Sequence, residues 1–268
     1  MREPLQDGNA VKEQYKTAGN LQTRMSIHDK YSVNKLGFGN WICGQYELHE
    51  NDRILELGCG TGAIWTDHLH LLPPGASLVL TDLSEGMLQT ARENIPAHPA
   101  VSFRRTDIQE IPYPDDSFDV VIANMMLYHV PNLHKALAEV RRVLRPGGVF
   151  YCATYGVHGI TEFVQELLAD YGAKYGVNTS FTLQNGGELL RQHFADVEQR
   201  HYEDHLEVTD EEDLVDYIFS MTSFRNFGKV TREELRALLC QKKQDGKIIV
   251  PKEYGICIAN TESLGVGV

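Results

Sequence analysis

Short apolar runs alternate along this chain with stretches of helical period, the pattern of strand-helix-strand units. Ile54-Leu55-Glu56-Leu57 is the first such run, Ser77 to Leu80 the second, Val101 to Arg105 the third, Phe118 to Asn124 the fourth and Val149 to Thr154 the fifth. A helix is predicted over Ala63 to Leu72. Another is predicted where Leu133, Leu137, Val140 and Leu144 recur, and Arg145-Pro146-Gly147-Gly148 stops it. Past the fifth strand, Ile160, Phe163, Val164, Leu167 and Leu168 form an apolar stripe, so Gly159 to Tyr175 is predicted as a helix. A helix at Gly187 to Phe194 and a polar edge strand at Val197 to Val208 follow. Two more helices open on Thr209-x-x-Glu212 and Thr231-x-x-Glu234, each spaced as a capping box, and the second is predicted to end near Gly246. A final strand is expected from Lys247 to Asn260, so 209–246 interrupts a hairpin.

Between the first strand and its helix lies Glu56-Leu57-Gly58-Cys59-Gly60-Thr61-Gly62. Glycines there let the backbone approach a ligand and adopt positive φ. The helix N-terminus beyond them faces the crevice in which open α/β sheets bind ligands. Gly58-x-Gly60-x-x-Ala63 also fits a dinucleotide fingerprint, so the loop alone admits a nicotinamide enzyme. Glu56 argues otherwise. A carboxylate before the first glycine repels a pyrophosphate but accepts hydrogen bonds from an ammonium group, which S-adenosylmethionine carries without any phosphate. Asp82, one strand-helix-strand unit later, can accept from two ribose hydroxyls. Asp107 and Ile108 offer an acceptor for an adenine amino group and an apolar surface for its ring.

The chain has 268 residues and 42% hydrophobic content, within reach of one elaborated α/β domain. A formal net charge of -12 disfavours nucleic-acid partners, which need clustered Lys and Arg. No apolar run nears the roughly 20 residues that span a bilayer. The polar start Met1-Arg2-Glu3-Pro4 lacks a signal-peptide core, so no membrane insertion and a cytoplasmic location are expected. Five scattered cysteines argue against a disulfide framework and against a structural metal site. Asp210, Glu211, Glu212, Asp213 and Asp216 read as a solvated helix face, with a site for a cationic substrate as the sharper alternative.

Taken in order, Glu56 to Gly62, Thr81-Asp82-Leu83-Ser84, Asp107-Ile108, Phe118-Asp119-Val120-Val121 and Leu144-Arg145-Pro146-Gly147-Gly148 resemble class I S-adenosylmethionine-dependent methyltransferases. The resemblance is to the small-molecule group related to ubiquinone and menaquinone methyltransferases, and it covers residues 51 to 155. It implies an α/β fold: a Rossmann-like, doubly wound seven-stranded sheet with an antiparallel last strand, plus a helical cap. It further implies S-adenosylmethionine as cofactor and a small-molecule acceptor methylated at O, N or C. The implied organisation is an N-terminal helical lid (1–50), the cofactor-binding core (51–155), a completing region (156–260) with cap insertions at about 156–180 and 209–246, and a disordered tail (261–268).

By the same resemblance, Glu56 sits at the methionine amino group and Gly58 and Gly60 pass beside the amino-acid moiety. Asp82 takes the ribose hydroxyls, Leu83 packs on the adenine, Asp107 and Ile108 contact its edge, and Asn124 bonds the methionine end through its backbone carbonyl. His129 lies near the sulfonium, and with His28 it is a candidate general base. Arg24, Tyr31 and Trp41 are candidates for the substrate pocket. A nicotinamide-dependent oxidoreductase and a cofactor-binding module that engages a protein partner remain the alternatives. Nothing in the sequence sets the oligomeric state.

Overall fold

The computed structural model describes residues 26–172, 174–175, 178–221, 224–225 and 230–263. After a helical stretch at 26–31, the chain forms α1 (Phe38–Cys43), β1 (Arg53–Leu57), α2 (Ala63–His68), β2 (Ser77–Asp82), α3 (Glu85–Asn94), β3 (Val101–Arg105), β4 (Phe118–Ile122), α4 (Leu133–Val143) and β5 (Leu144–Tyr155). It continues through α5 (Ile160–Leu167), β6 (Lys174–Tyr175), α6 (Gly186–Arg191), β7 (Asp196–Tyr202), β8 (His205–Val208) and α7 (Glu211–Ser220). The last elements are β9 (Phe224–Arg225), α8 (Arg232–Gln241), β10 (Ile248–Pro251) and β11 (Tyr254–Asn260).

Two compact units emerge. One comprises Phe38–Thr154, Ser180–Arg200 and Gly255–Val268. It holds a seven-stranded sheet in the order β3-β2-β1-β4-β5-β11-β7. β1 pairs in parallel with β2 on one side and with β4 on the other, so the strand order reverses at β1, where doubly wound sheets open a ligand crevice. Thr261 N–H donates to Gly148 O at 3.1 Å and Ala195 N–H to Asn260 O at 3.0 Å. Those bonds put the end of β11 beside the starts of β5 and β7, so the last strand runs antiparallel, as the resemblance implied.

Four of the five β1 residues are buried, as expected of a parallel strand covered on both faces. Leu55 and Leu57 join one core with Val121, Leu137 and Val140, and Ile54 joins the opposite core with Trp65, Leu78 and Ile122. The pleat thus divides the sheet between α4 on one face and α2 and α3 on the other. α4 packs because Ala136, Leu137, Val140 and Val143 fall on one stripe, each fully buried large side chain contributing about 1.5–3 kcal/mol. Its N-cap is Asn132, whose side chain accepts from Lys135 N–H.

The second unit comprises Met1–Gly37, Tyr155–Thr179 and His201–Tyr254. Its antiparallel pair β8–β10 runs in register from Ile248↔Val208 to Pro251↔His205, and α7 and α8 lie between the two strands in sequence. Val164, Leu206, Leu214, Leu235 and Ile248 centre its own core.

Several boundaries differ from the sequence reading. The run from Lys247 to Asn260 is two strands in two sheets, because Pro251 ends the β10 ladder and the break at Lys252-Glu253 releases the chain to β11. Val197 to Val208 likewise divides into β7 and β8. The expected helix at Gly159 to Tyr175 ends as α-helix at Leu167; a 3-10 turn follows, and Gly172 takes φ of 65°. α7 is capped one residue later than predicted, by Asp210, whose carboxylate accepts from Glu212 N–H at 3.0 Å. The box at Thr231 and Glu234 forms as expected. α8 stops at Gln241, short of Gly246, because Asp245 and Gly246 at φ of 50° and 79° make a tight turn that bridges Gln244 to Lys247. Among the described residues no helix is long and apolar enough to cross a membrane.

Candidate functional site

The carboxyl ends of β1, β2 and β4 bring Glu56, the glycine loop, Asp82 and Asn124 to the crevice where the strand order reverses. Cys59 N–H donates to Thr81 O at 2.8 Å, which ties the loop to β2. Gly58, Gly60 and Gly62 all adopt the left-handed conformation, at φ of 69°, 57° and 73°. Their surroundings differ. A Cβ on Gly62 would come within 2.5 Å of the Ile95 side chain, and one on Gly58 within 3.0–3.2 Å of Met126. One on Gly60 would meet nothing within 4 Å. Gly62 is thus fixed by packing, whereas the backbone of Gly60 lies open, as a cradle for a ligand requires.

Glu56 is 3% exposed and accepts a hydrogen bond from the indole N–H of Trp65, the third residue of α2. Among the described residues it has no Lys, Arg or His ion partner. Burial raises its carboxyl to about 7, nearby Asp82 adds to the rise, and the bonds from Trp65 and, more weakly, Asn124 lower it. Asp82 accepts from Gly60 N–H at 3.0 Å through one oxygen and from Ser84 N–H at 2.8 Å through the other. Burial moves its carboxyl up, against the pull of the Ser84, Gly60 and Leu83 N–H groups. Beside it, Leu83 is an exposed large apolar side chain.

Asn124 is buried at the end of β4, and its Nδ2 donates to the Tyr46 hydroxyl at 2.7 Å. Its Oδ1, like Thr106 Oγ1 after β3, is buried with no partner among the described residues. Such orphaned acceptors are costly unless a ligand or water meets them. Asp107 accepts from Gln109 N–H at 2.8 Å, which closes a turn with Glu110. Ile108 is 6% exposed and belongs to the core it shares with Leu57. His129 ends a 3-10 turn, half-buried, its ring 4.5 Å from that of Tyr128. Trp41 stacks on Phe38 in α1 at 5.9 Å and packs against the sheet core.

His28 and Tyr31 belong to the second unit. His28 sits edge-on to Tyr217 and Tyr254, and its pKa is lowered to about 4, by burial first and then by Lys252, against Asp204. Tyr31 donates its hydroxyl to Asp213. Arg24 lies outside the described residues, as do 264–268 of the expected tail. Trp65 and Tyr46 were not singled out in the sequence. A tryptophan in the helix after the loop, nine positions beyond Glu56, was the available signal for the first; nothing local marks the second.

Residues 55–152 match the family model described as a methyltransferase domain. Among curated proteins, the chain is 41% identical over 97 residues to the demethylmenaquinone methyltransferase of Clavibacter sepedonicus, covering 36% of this chain and 38% of that protein. It is 32% identical over 138 residues to the malonyl-[acyl-carrier protein] O-methyltransferase of Serratia marcescens, covering 50% and 51%. The chain therefore spans about half the length of these relatives or less. In fold it is similar to phosphoethanolamine N-methyltransferase 2 of Haemonchus contortus in complex with S-adenosyl-L-methionine, at a TM-score of 0.57 and 19% identity, covering 93% of this chain and 58% of that one. The match to a methyltransferase domain thus covers residues 55–152, the fold is similar to that of a methyltransferase, and the nicotinamide alternative gains no support from these relatives.

Proposed function

We infer that this chain is a class I methyltransferase, which binds S-adenosylmethionine and transfers its methyl group to an O, N or C nucleophile of a small molecule. The observation that carries the reading is the buried Glu56 carboxylate beside an open glycine backbone, an acceptor built for an ammonium and hostile to a pyrophosphate. Asp82, already oriented by two backbone N–H groups, is assigned to the ribose hydroxyls. The exposed face of Leu83 is assigned to the adenine, and Asp107 and Ile108 to its edge. Gly58, Gly60 and the Asn124 backbone carbonyl are assigned to the amino-acid end.

When bound, the cofactor supplies an electrophilic methyl group on a sulfonium. The protein's share of the chemistry is then to align the acceptor and exclude water from it. A base is needed only where the acceptor is protonated at working pH, and His129 is the candidate within the same unit. The curated relatives above are named for a demethylmenaquinone and a malonyl-[acyl-carrier protein], neither a nucleic acid, and the net charge of -12 disfavours a nucleic-acid acceptor here too. Scattered cysteines suit a reducing compartment, so we place the protein in the cytoplasm.

Calorimetric titration with S-adenosylmethionine and with NAD tests the cofactor. Binding of the first alone is expected, and binding of NAD alone would overturn the reading. Methyl transfer is then tested on a panel of quinols, carboxylic acids and amines. Tight cofactor binding without turnover on any of them would favour a non-catalytic module.

A further inference from the structure

Glu56 is held in an unusual way for a buried carboxylate. Its hydrogen-bond donors are neutral, the Asn124 amide and the indole of Trp65, which is itself 0% exposed and so cannot turn away without opening a cavity in the core. The Tyr46 ring stacks beside that indole, with centroids 6.4 Å apart and planes 20° from parallel, while its hydroxyl accepts from Asn124. Trp65, Tyr46 and Asn124 thus form a rigid aromatic and amide wall around the carboxylate.

Among the described residues, the titratable groups that face Glu56 are Asp82 from β2, Cys59 from the loop, Cys43 from α1, and Tyr46. None is a cation. A carboxylate desolvated in such surroundings keeps its proton, and an arriving ammonium reverses that preference. Both features belong to a carboxylate that the proposed function assigns to the cofactor, and the inference drawn from them rests on that reading.

We propose that Trp65 is a positioning residue for the cofactor's amino-acid end: its indole N–H fixes the Glu56 carboxyl group, and capture of the ligand ammonium there expels a proton from Glu56 to solvent. The bound state is then an ion pair held by neutral donors, and the free state is mostly a neutral carboxylic acid below about pH 7. Trp65 favours the carboxylate form in both, because an N–H can donate to it but gains less from the acid.

The test is calorimetric titration of the full chain with S-adenosylmethionine, at pH 6 to 7.5, in pairs of buffers with different ionisation enthalpies. Release of about half a proton per site is expected at pH 7 and about 0.9 at pH 6, with affinity rising several-fold across the range. Above about pH 8 the ligand's own amino group begins to lose its proton, so the range stops short of it. Glu56→Gln should abolish the release. Trp65→Phe should move the midpoint up by about one unit, which increases the release at pH 7.

A second readout leaves Trp65 in place. The chain has two tryptophans, so the indole N–H region of a nitrogen-15 spectrum holds two signals. That of Trp65 should titrate with a midpoint near 7, lose the titration in Glu56→Gln, and hold its high-pH position when ligand is saturating. Ligand binding without proton release would overturn the proposal, as would a Trp65 signal that ignores pH. A Trp65→Phe protein with a lower Tm and an unmoved midpoint would reduce Trp65 to a packing role. Failure to bind S-adenosylmethionine at any pH would instead fell the cofactor reading.

Discussion

Glu56 and Asp204 are both buried acids, and the two units treat them in opposite ways. In the second unit the Asp204 side chain is fully buried and paired with Lys252, whose ammonium also donates to Ser32 Oγ at 2.8 Å. The N–H groups of Asn34 and His205 each donate to its other oxygen at 2.9 Å. Burial pushes its carboxyl up, but Lys252 and Asn34 outweigh burial and hold it below the ordinary value. In the sheet-bearing unit Glu56 has only neutral donors, the Trp65 indole and the Asn124 amide, and no cation among the described residues, and it is held up, to about 7. A carboxylate that serves the fold is supplied with its counter-charge by the chain. One that lacks it is arranged to receive a cation from outside.

The largest effect expected from breaking this contrast is in the second unit. Lys252→Ala leaves Asp204 charged, buried and without its cation, and should cost about 3–5 kcal/mol in urea unfolding. Adding Asp204→Asn to Lys252→Met should recover most of that loss, since the amide oxygen can still accept from Asn34 and His205. Next come two glycines of the loop. Gly62→Ala combines a left-handed residue with a clash on Ile95 and should lose about 2–4 kcal/mol of stability. Gly60→Ala has only the conformational cost, about 1–2 kcal/mol, and its effect should fall instead on the affinity for S-adenosylmethionine.

Glu56→Gln should go the other way from Lys252→Ala. Removing a desolvated charge is expected to stabilise the ligand-free protein by up to about 3 kcal/mol at pH 8, while cofactor binding is weakened but still measurable. The smallest expected effect is on the pH dependence of stability. Glu56 titrates higher in the folded chain than unfolded, so its contribution is complete below its ordinary value of 4.5 and is lost as pH rises through about 7. Ligand-free protein should therefore be about 1 kcal/mol less stable at pH 8 than at pH 6 from this group alone, and Glu56→Gln should flatten that limb. His28 has the reverse sign. Its folded value of about 4 lies under the ordinary 6.5, so its contribution is present above 6.5 and disappears as pH falls toward 4. His28→Phe should remove part of the acid limb in a series of unfolding curves.

The parallel half of the sheet could be read from the sequence because its signals are local. An apolar run that ends in glycine fixes both β1 and the turn beyond it, and Pro146 signals that α4 has ended, although the helix stops at Val143 and Pro146 itself lies within β5. The division of Lys247 to Asn260 between two sheets could not be read, because β10 finds its partner in β8 across two intervening helices and β11 finds its partners in β5 and β7. No periodicity within the run records a choice between distant partners. The candidate site divides in the same manner. Glu56, Gly60 and Asp82 stand in motifs, whereas Trp65 and Tyr46 reach Glu56 and Asn124 only through helix packing and an N-terminal segment that folds back on the sheet. His28 and Tyr31 reach their partners, Tyr217, Tyr254 and Asp213, by the same kind of long-range packing within the second unit.

The place of β11 between β5 and β7 sets a condition on how the chain acquires its structure. β5 is complete by residue 155 and β7 by residue 202, yet neither meets its shared neighbour until residues 254 to 260 have been made. During synthesis β5 must wait as a bare apolar edge for roughly a hundred residues, a period in which pairing with another nascent chain is the main hazard. The large sequence separation also predicts slow closure of the sheet. Truncation ahead of residue 254 should accordingly yield aggregates that still contain an intact glycine loop, a failure of assembly rather than of the cofactor motif.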